Sequence, residues 1–215
     1  MVTKTLLNSR EEWLEERNKT IGGSDAAAVI GMNPWLSNVA LYDMKKNGKY
    51  VDLAANANVL YGQLAEEPLR RLFELDYPGL DVFYEENNLF RNSDYPWAHA
   101  SLDGWLQDKD GRRGVLEIKT SEILSSAQSQ KLIDKIPDHY YAQVLHEMAV
   151  YEADFAVIKA QLKYKRQDVS YTRTNHYFIE RSDVQEEIEY LMDAERTFYK
   201  HLQDNEPVAR ILPEI

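Results

Sequence analysis

Two kinds of hydrophobic pattern alternate along this chain. Some segments carry apolar residues three or four positions apart, as in amphipathic helices, and others are short apolar runs rich in β-branched and aromatic residues, as in strands. The first pattern predicts helices over Arg10–Lys19, Ser24–Gly31, Ser37–Asn47, Val59–Leu75, Asp138–Tyr151 and Ser182–Gln203. The second predicts strands over Asp81–Arg91, Trp97–Leu106, Gly114–Lys119, Phe155–Tyr164 and Tyr171–Ile179. This order predicts an α/β (α+β) fold with a central mixed β-sheet flanked by helices.

The length of 215 residues suits a single domain with one sizeable core. We predict that this domain covers residues 1–205 and that Glu206–Ile215, which contains two prolines, forms a C-terminal tail. Pro68 lies inside the fourth predicted helix, so this proline either begins a shorter helix or kinks a longer one.

Composition narrows the possible chemistry. The chain has no cysteine, which excludes disulfides, thiol nucleophiles, zinc–thiolate sites and cysteine-bound iron–sulfur clusters. Residues 1–10 lack the apolar core of a signal peptide, and no stretch approaches the length of a membrane span. We therefore expect a cytoplasmic protein with no membrane association.

The net charge of −11 argues against a nucleic-acid partner, since phosphate binding usually leaves a basic footprint. The stretch Lys159–Arg181, however, holds six Lys or Arg against two acids. Two interpretations stay open: this stretch lines a locally positive groove on an acidic body, or its basic residues simply solvate the end of a strand.

The strongest chemical feature is Val115-Leu116-Glu117-Ile118-Lys119, preceded by Ser101-Leu102-Asp103-Gly104. Side chains alternate faces along a strand, so Glu117 and Lys119 point the same way. A hairpin turn near Gly111 brings Asp103 back beside Glu117. Two adjacent carboxylates repel unless a divalent cation lies between them, and their hard oxygens favour Mg²⁺ or Mn²⁺. The alternative is a half-buried hairpin whose Glu and Lys form a cross-strand ion pair.

Several other polar residues can be interpreted either as part of a functional site or as ordinary structural residues. Ser24 follows two glycines and precedes three alanines, which predicts a helix capped by Ser24 whose free N–H groups, together with Arg17, suit a phosphate. The plain alternative is an ordinary cap. Glu66 is either a site acid or a solvent-facing helical residue. We interpret His146 and Glu147 as a solvated helix face outside the site.

Five short motifs occur along the chain in this order: Arg17 with Gly22-Gly23-Ser24-Asp25, Gly62 with Glu66, Ser101-Leu102-Asp103-Gly104, Leu116-Glu117-Ile118-Lys119-Thr120, and Tyr141-Ala142-Gln143-Val144. In these motifs and their order the chain resembles, over roughly residues 10–200, the phage lambda exonuclease and YqaJ-like viral recombinase family, a branch of the PD-(D/E)XK nuclease superfamily. The sequence departs from the superfamily's Pro-Asp signature, which here reads Leu102-Asp103.

The resemblance implies a restriction-endonuclease-like fold and a role for each matching residue. In the family, two Mg²⁺ ions, replaceable by Mn²⁺, are held by the residues matching Asp103, Glu117 and the carbonyl of Ile118. Glu66 matches an acid beside the second ion. Lys119 matches a residue that orients and deprotonates the attacking water or stabilises developing charge. The pocket for the DNA 5'-terminal phosphate matches Arg17, Ser24, Ser101 and Gln143.

The resemblance also implies an activity and partners. The expected enzyme is a 5'-to-3' exonuclease that acts on double-stranded DNA ends, releases mononucleotides and leaves 3' single strands for phage-type recombination. Its expected assembly is a homotrimeric ring, and its expected partner is a single-strand annealing protein. The alternatives are a PD-(D/E)XK endonuclease of restriction or repair type, a catalytically inactive DNA-end-binding module, and an acidic regulatory protein without a nucleic-acid function.

Overall fold

The computed structural model describes residues 1–48, 56–125, 129, 135–166 and 169–212. The helices are α1 (Arg10–Asn18), α2 (Gly23–Val29), α3 (Asn38–Asn47), α4 (Ala57–Asp76), α5 (Asp138–Tyr151) and α6 (Gln185–Asp204), with a 3₁₀ turn at Arg181–Asp183. The strands are β1 (Val2–Leu6), β2 (Ile21–Gly22), β3 (Leu80–Phe83), β4 (Asn88–Asn92), β5 (Ala98–His99), β6 (Gly104–Asp108), β7 (Arg113–Ile123), β8 (Phe155–Arg166) and β9 (Val169–Glu180).

A five-stranded mixed sheet with the order β3-β6-β7-β8-β9 forms the centre of the fold. Strands β7 and β8 are parallel, and the other neighbouring pairs are antiparallel. Helix α5 lies between β7 and β8 in sequence, because a parallel pair needs a long crossover connection. The prediction of a central mixed sheet flanked by helices is confirmed.

Both faces of β7 are covered. Leu116 and Ile118 belong to the same apolar cluster as Leu69 and Phe73 of α4. The alternate residue Val115 belongs to the cluster formed with α5, and Ser121, also on that face, contacts the Tyr140 hydroxyl at 3.0 Å. Glu117 and Lys119 share the face of Val115, so the sequence directs both toward α5.

Two predicted strands are each divided in the structure. Asp81–Arg91 forms β3 and β4, which belong to different sheets, and the break includes Asn87 at a φ of 53°. Trp97–Leu106 forms β5 and β6, and the segment between them contains Asp103. The breaks fall at residues 84–87 and 100–103, where polar residues interrupt the apolar pattern of each predicted strand. Residues Val2–Leu6 form β1, paired with β4, which the pattern did not predict.

Pro68 lies in the interior of α4, so the expectation that it begins a shorter helix is wrong. A proline has no N–H to donate to the carbonyl four residues earlier, that of Leu64, and the 20-residue helix continues through this position. None of the helices formed by the described residues has the length and hydrophobicity of a transmembrane span.

The described part of the C-terminal tail packs on its own chain. The buried Asn38 side chain donates to Ala209 O at 2.7 Å and accepts from Ile211 N at 3.1 Å. Ile211 also lies against Gly31, where an added Cβ would be 2.6 Å from Ile211 Cγ2. Residues 213–215 of the predicted tail lie outside the described residues.

Candidate active site

The sheet opens where β6 leaves β7. The two strands pair from Gly104 with Leu116 to Gln107 with Arg113, and the chain before Gly104 turns away. Past Leu116, the N–H of Ile118 therefore has no strand partner on this side. Asp103 Oδ2 accepts this N–H at 2.9 Å, which places the Asp103 carboxyl beside Glu117. The structure thus brings together the two acids that the hairpin predicted to be neighbours.

Two residues without a signal in the sequence hold the segment that carries Asp103. Asn88 replaces a missing strand partner, because its side chain accepts from Leu102 N at 2.8 Å and donates to Leu102 O at 3.0 Å. Arg70 Nε donates to Asp103 O at 2.9 Å, and its guanidinium lies 3.6 Å from the centroid of the Tyr84 ring. These contacts orient Asp103 through its main chain and leave one carboxyl oxygen for other partners.

Glu117, Lys119 and Gln143 form a closed group of charge-assisted contacts. Lys119 Nζ lies 2.6 Å from Glu117 Oε1 and donates to Gln143 Oε1 at 2.8 Å. Gln143 Nε2 donates to Glu117 Oε1 at 2.7 Å. Glu117 is 2% exposed, and its Oε2 is buried without a hydrogen-bond partner. An unpartnered buried carboxylate oxygen is costly, which makes this atom a candidate ligand for a cation.

Glu66 lies at the rim of this group on α4. Gly62, one turn earlier, allows the helix close to β7, since a Cβ there would be 3.4 Å from Thr120 Oγ1. Glu66 is half-buried. Burial and the Asp103 charge raise the pKa of Glu66 to about 7, so the two acids interact electrostatically.

The pKa values of both Asp103 and Lys119 are raised, but for different reasons. Burial and the neighbouring Glu117 raise the pKa of Asp103 to about 7. Burial disfavours the Lys119 ammonium, but the charges of Glu117 and Asp103 outweigh burial and raise the pKa of Lys119 above its usual range. In the metal-free protein Lys119 is therefore a cation rather than a base.

The donor set fits a hard divalent cation. Asp103 and Glu117 provide carboxylate oxygens, and Glu117 Oε2 lacks a partner. Across the described ranges, no group of three or more His, Cys, Asp or Glu side chains is placed to hold a metal ion. The two carboxylates would therefore need a main-chain carbonyl, such as that of Ile118, and water, as oxygen-coordinated Mg²⁺ commonly does.

Without divalent cations, the free energy of unfolding is expected to fall between about pH 5 and pH 8. The pKa of the buried Glu147 is also raised, and this acid contributes to the loss in the same direction. The raised pKa values of Asp103 and Glu66, both about 7, mean that at these two positions the folded chain keeps two protons that the unfolded chain releases near pH 4. The stabilisation is complete below about pH 4 and lost as the pH passes about 7. We expect a loss on the order of 2 kcal/mol, because both side chains retain some contact with water.

Urea unfolding in EDTA at several pH values measures this loss. Asp103→Asn should reduce the pH dependence, whereas Asp108→Asn, at the other end of β6, should leave it unchanged between pH 5 and pH 8. Stability that rises with pH, or a slope that Asp103→Asn does not change, would contradict this electrostatic account.

A second polar cluster surrounds Trp13 of α1. The indole N–H donates to Ser101 Oγ and to Asn88 O, both at 3.1 Å. The Arg17 guanidinium lies 4.1 Å from the centroid of the Trp13 ring, and Arg17 Nη2 donates to Ser24 Oγ at 3.4 Å. Three of the four predicted phosphate ligands, Arg17, Ser24 and Ser101, therefore share one surface that Trp13 organises. No pattern in the sequence indicated a role for Trp13.

The start of α2 differs from the prediction. Gly22, not Ser24, is the N-cap, and its N–H donates to Asp25 Oδ2 at 3.0 Å. Lys45 Nζ pairs with the same oxygen at 2.6 Å, which fixes Asp25 in this role. The helix consequently begins before Ser24, and the exposed Ser24 hydroxyl faces Arg17.

The interpretation of His146 and Glu147 as a solvated face is wrong. His146 is fully buried, with Nδ1 2.8 Å from Glu195 Oε1 and Nε2 2.8 Å from His99 O. Glu147 is 1% exposed and lies against Gln143. Helix α5 is buried on both sides, by the sheet and by α2 and α6, so the usual preference of charged residues for solvent does not apply.

Not all basic side chains of the stretch Lys159–Arg181 lie at the surface. Lys159 is 1% exposed and pairs with Asp76 Oδ2 at 3.0 Å, and Arg181 Nη1 donates to Met148 O at 2.9 Å and to Ala153 O at 3.1 Å. Lys165 and Arg173 are exposed on β8 and β9. Lys159 and Arg181 therefore serve the fold, and Lys165 and Arg173 are exposed to solvent.

Comparison with known proteins identifies relatives of this chain. The profile of the YqaJ-like viral recombinase domain matches residues 12–156. The uncharacterised protein YqaJ of Bacillus subtilis is 30% identical over 142 residues, which are 66% of this chain and 42% of that protein. The chain therefore spans less than half the length of this relative.

Solved structures share the fold. The alkaline exonuclease of Laribacter hongkongensis superposes with a TM-score of 0.67 at 20% identity, covering 91% of this chain and 93% of that one. A second structure of that enzyme, in complex with dAMP, gives a TM-score of 0.65. A phage-related exonuclease from Haemophilus somnus 129PT gives 0.57 at 15% identity, covering 86% of this chain and 96% of its own. At these identities the likeness establishes the architecture.

Proposed function

Because this chain belongs to the YqaJ-like viral recombinase family, we propose that it is a metal-dependent exonuclease that hydrolyses double-stranded DNA from 5' ends. The observation that carries the proposal is the meeting of Asp103, Glu117 and Lys119 where β6 leaves β7. Two carboxylates with an unpartnered oxygen and one adjacent ammonium are groups that suit metal-dependent phosphodiester hydrolysis.

The residues of the proposed centre have different roles. Asp103, Glu117 and the carbonyl of Ile118 would hold Mg²⁺ or Mn²⁺, two ions per site, with Glu66 beside the second. The bound metal would supply a Lewis acid and a water of lowered pKa. Lys119, held as an ammonium by Glu117, would stabilise the charge that develops on the phosphoryl group. This electrostatic role fits the raised pKa of Lys119 better than a role as general base.

The Trp13 cluster supports the 5' polarity. A guanidinium and two hydroxyls on one surface suit a terminal phosphate, and anchoring that phosphate would place the next bond at the carboxylates. Gln143 was expected in the same pocket, but both of its N–H groups donate to Glu117 and Glu147. We therefore assign Gln143 first to the catalytic group and leave the phosphate to Arg17, Ser24 and Ser101.

Arg17→Ala is expected to reduce the preference for 5'-phosphorylated over 5'-hydroxyl ends by about 10-fold or more, the value of one charge-assisted hydrogen bond. Initial rates on the two substrates measure this ratio. Arg71→Ala removes an exposed arginine of α4 that pairs with Glu67 and serves as the control. A ratio equal to that of the unsubstituted protein would remove Arg17 from the phosphate site.

Digestion of linear and covalently closed circular duplex DNA with Mg²⁺ tests the reaction class. We expect mononucleotides and 3' single strands from linear DNA and no cleavage of closed circles. Cleavage of circles would favour an endonuclease of restriction or repair type. Binding to DNA ends without cleavage, with either Mg²⁺ or Mn²⁺, would favour an inactive end-binding module.

A ring assembly would reconcile DNA binding with a net charge of −11, because a channel can be locally positive on an acidic body. We propose a homotrimer that encloses the duplex and passes its 3' strand to a single-strand annealing protein. Self-association is supported by four exposed leucines on one side of α4, namely Leu60, Leu64, Leu72 and Leu75. A monomer would leave these apolar side chains in contact with water. Light scattering of the purified protein measures the number of subunits.

A further inference from the structure

Glu147 is a buried acid that the proposed chemistry does not use. It lies on α5 one turn after Gln143, and its Oε1 accepts from Gln143 Nε2 at 2.8 Å. Its Oε2 is buried without a hydrogen-bond partner. Gly23 of α2 covers the carboxyl closely, because a Cβ at Gly23 would lie 2.7 Å from Glu147 Oε1. Helix α2 thus confines this side chain against Gln143.

Gln143 connects Glu147 to the catalytic group. An amide side chain has two N–H donors, and here one donates to Glu117 Oε1 and the other to Glu147 Oε1. The amide oxygen is then left facing Lys119 Nζ, from which it accepts at 2.8 Å. By accepting this second N–H, Glu147 prevents the Gln143 amide from rotating away from Glu117 and Lys119.

The position of Glu147 is unfavourable for stability. It is buried near Glu117, and both this burial and the Glu117 charge raise the pKa of Glu147 well above its usual range. An apolar side chain of similar size would avoid the cost of an unpartnered carboxyl oxygen. A residue that costs stability and orders a site is expected to serve the site.

We propose that Glu147 is a positioning residue, which fixes the Gln143 amide and through it the geometry of Lys119 and Glu117. This inference rests on the proposed nuclease function for its kinetic consequence, although its structural part does not. Within the described part of the chain, the Glu147 carboxyl accepts a hydrogen bond from Gln143 and its charge also acts on Lys119, so Gln143 is the contact through which Glu147 positions the group.

A double-mutant cycle tests this route. Glu147→Met is expected to lower kcat by about 10-fold or more without changing KM for DNA, since a misplaced catalytic group weakens transition-state stabilisation. Glu147→Gln retains an acceptor and should restore most of the loss. In a Gln143→Met background, Glu147→Met should cause a much smaller further loss, because the amide that Glu147 positions is already absent.

The chain offers a matched control. Gln185 Nε2 donates to Glu189 Oε1 at 2.7 Å, the same i to i+4 pair on the exposed surface of α6. Glu189→Met should leave kcat unchanged. Wild-type kcat in Glu147→Met, or an equal loss in the presence and absence of Gln143, would overturn the proposal.

A measurement independent of activity separates this proposal from the proposed function. The side-chain amide signals of Gln143 in ¹⁵N-labelled protein, identified by their loss in Gln143→Met, should shift in Glu147→Met and largely return in Glu147→Gln. Thermal unfolding of Glu147→Met should occur at or above the wild-type temperature. A protein without nuclease activity but with these shifts would contradict the function and retain the positioning role. Unshifted amide signals would overturn the positioning role whatever the activity.

Discussion

Replacement of Lys119 by methionine is expected to reduce kcat for DNA hydrolysis by about 10³-fold, equivalent to about 4 kcal/mol of transition-state stabilisation. The methionine keeps most of the volume and removes the ammonium that lies 2.6 Å from Glu117 Oε1. Binding of DNA should change little, since the contacts that hold the terminal phosphate are elsewhere. Single-turnover digestion at saturating protein isolates the chemical step.

Two further variants define what Lys119 contributes. Lys109→Met, in the exposed turn between β6 and β7, removes an equal charge away from the site and should retain full activity. Lys119→Arg keeps the charge and should recover part of the rate if the role is electrostatic. A Lys119→Met protein with wild-type kcat would contradict the assigned role of this lysine.

Asp103→Asn is expected to lower activity by about 10³-fold or more, because it removes a charged ligand for the metal that would activate the water. The loss should be accompanied by weaker Mg²⁺ binding, measured by calorimetry or by the Mg²⁺ concentration that gives half-maximal rate. Glu117→Gln should resemble it, since both acids occupy the same opening of the sheet.

The stability of Asp103→Asn should change in the opposite direction. The pKa of Asp103, raised to about 7, shows that its ionised form is disfavoured in the metal-free chain, so the neutral amide should stabilise the protein near pH 8. Asp108→Asn, at the other end of β6, should retain activity. Loss of activity through unfolding would instead lower stability in parallel with rate, and that result would contradict the metal-ligand role.

Prediction from the sequence succeeded where a segment follows a single hydrophobic period, as a strand with alternating faces does. The strand Arg113–Ile123 alternates between an apolar face toward α4 and a face toward α5, so the side on which Glu117 and Lys119 lie was predictable from alternation alone. The hairpin turn at Gly111, with a φ of 81°, gave the return of the chain and hence the proximity of Asp103.

The supporting residues were not predictable because their roles depend on distant partners. Asn88 holds Leu102 across 14 positions, and Trp13 reaches Ser101 across 88. No local spacing encodes such contacts. The prediction that Glu147 lies on a solvated face was wrong for a related reason. Charged residues are rarely fully buried, so the sequence pattern places them in solvent. The burial of Glu147 follows from the packing of α2 against α5, which the pattern does not encode.

The most direct test of the central claim is the release of acid-soluble nucleotides from a linear 5'-phosphorylated duplex in Mg²⁺, by the unsubstituted protein and by Lys119→Met. We predict progressive release by the unsubstituted protein, no release in EDTA, and a rate reduced by about 10³-fold in the variant. No release in either Mg²⁺ or Mn²⁺, or equal release by the two proteins, would contradict a nuclease centre at Asp103, Glu117 and Lys119.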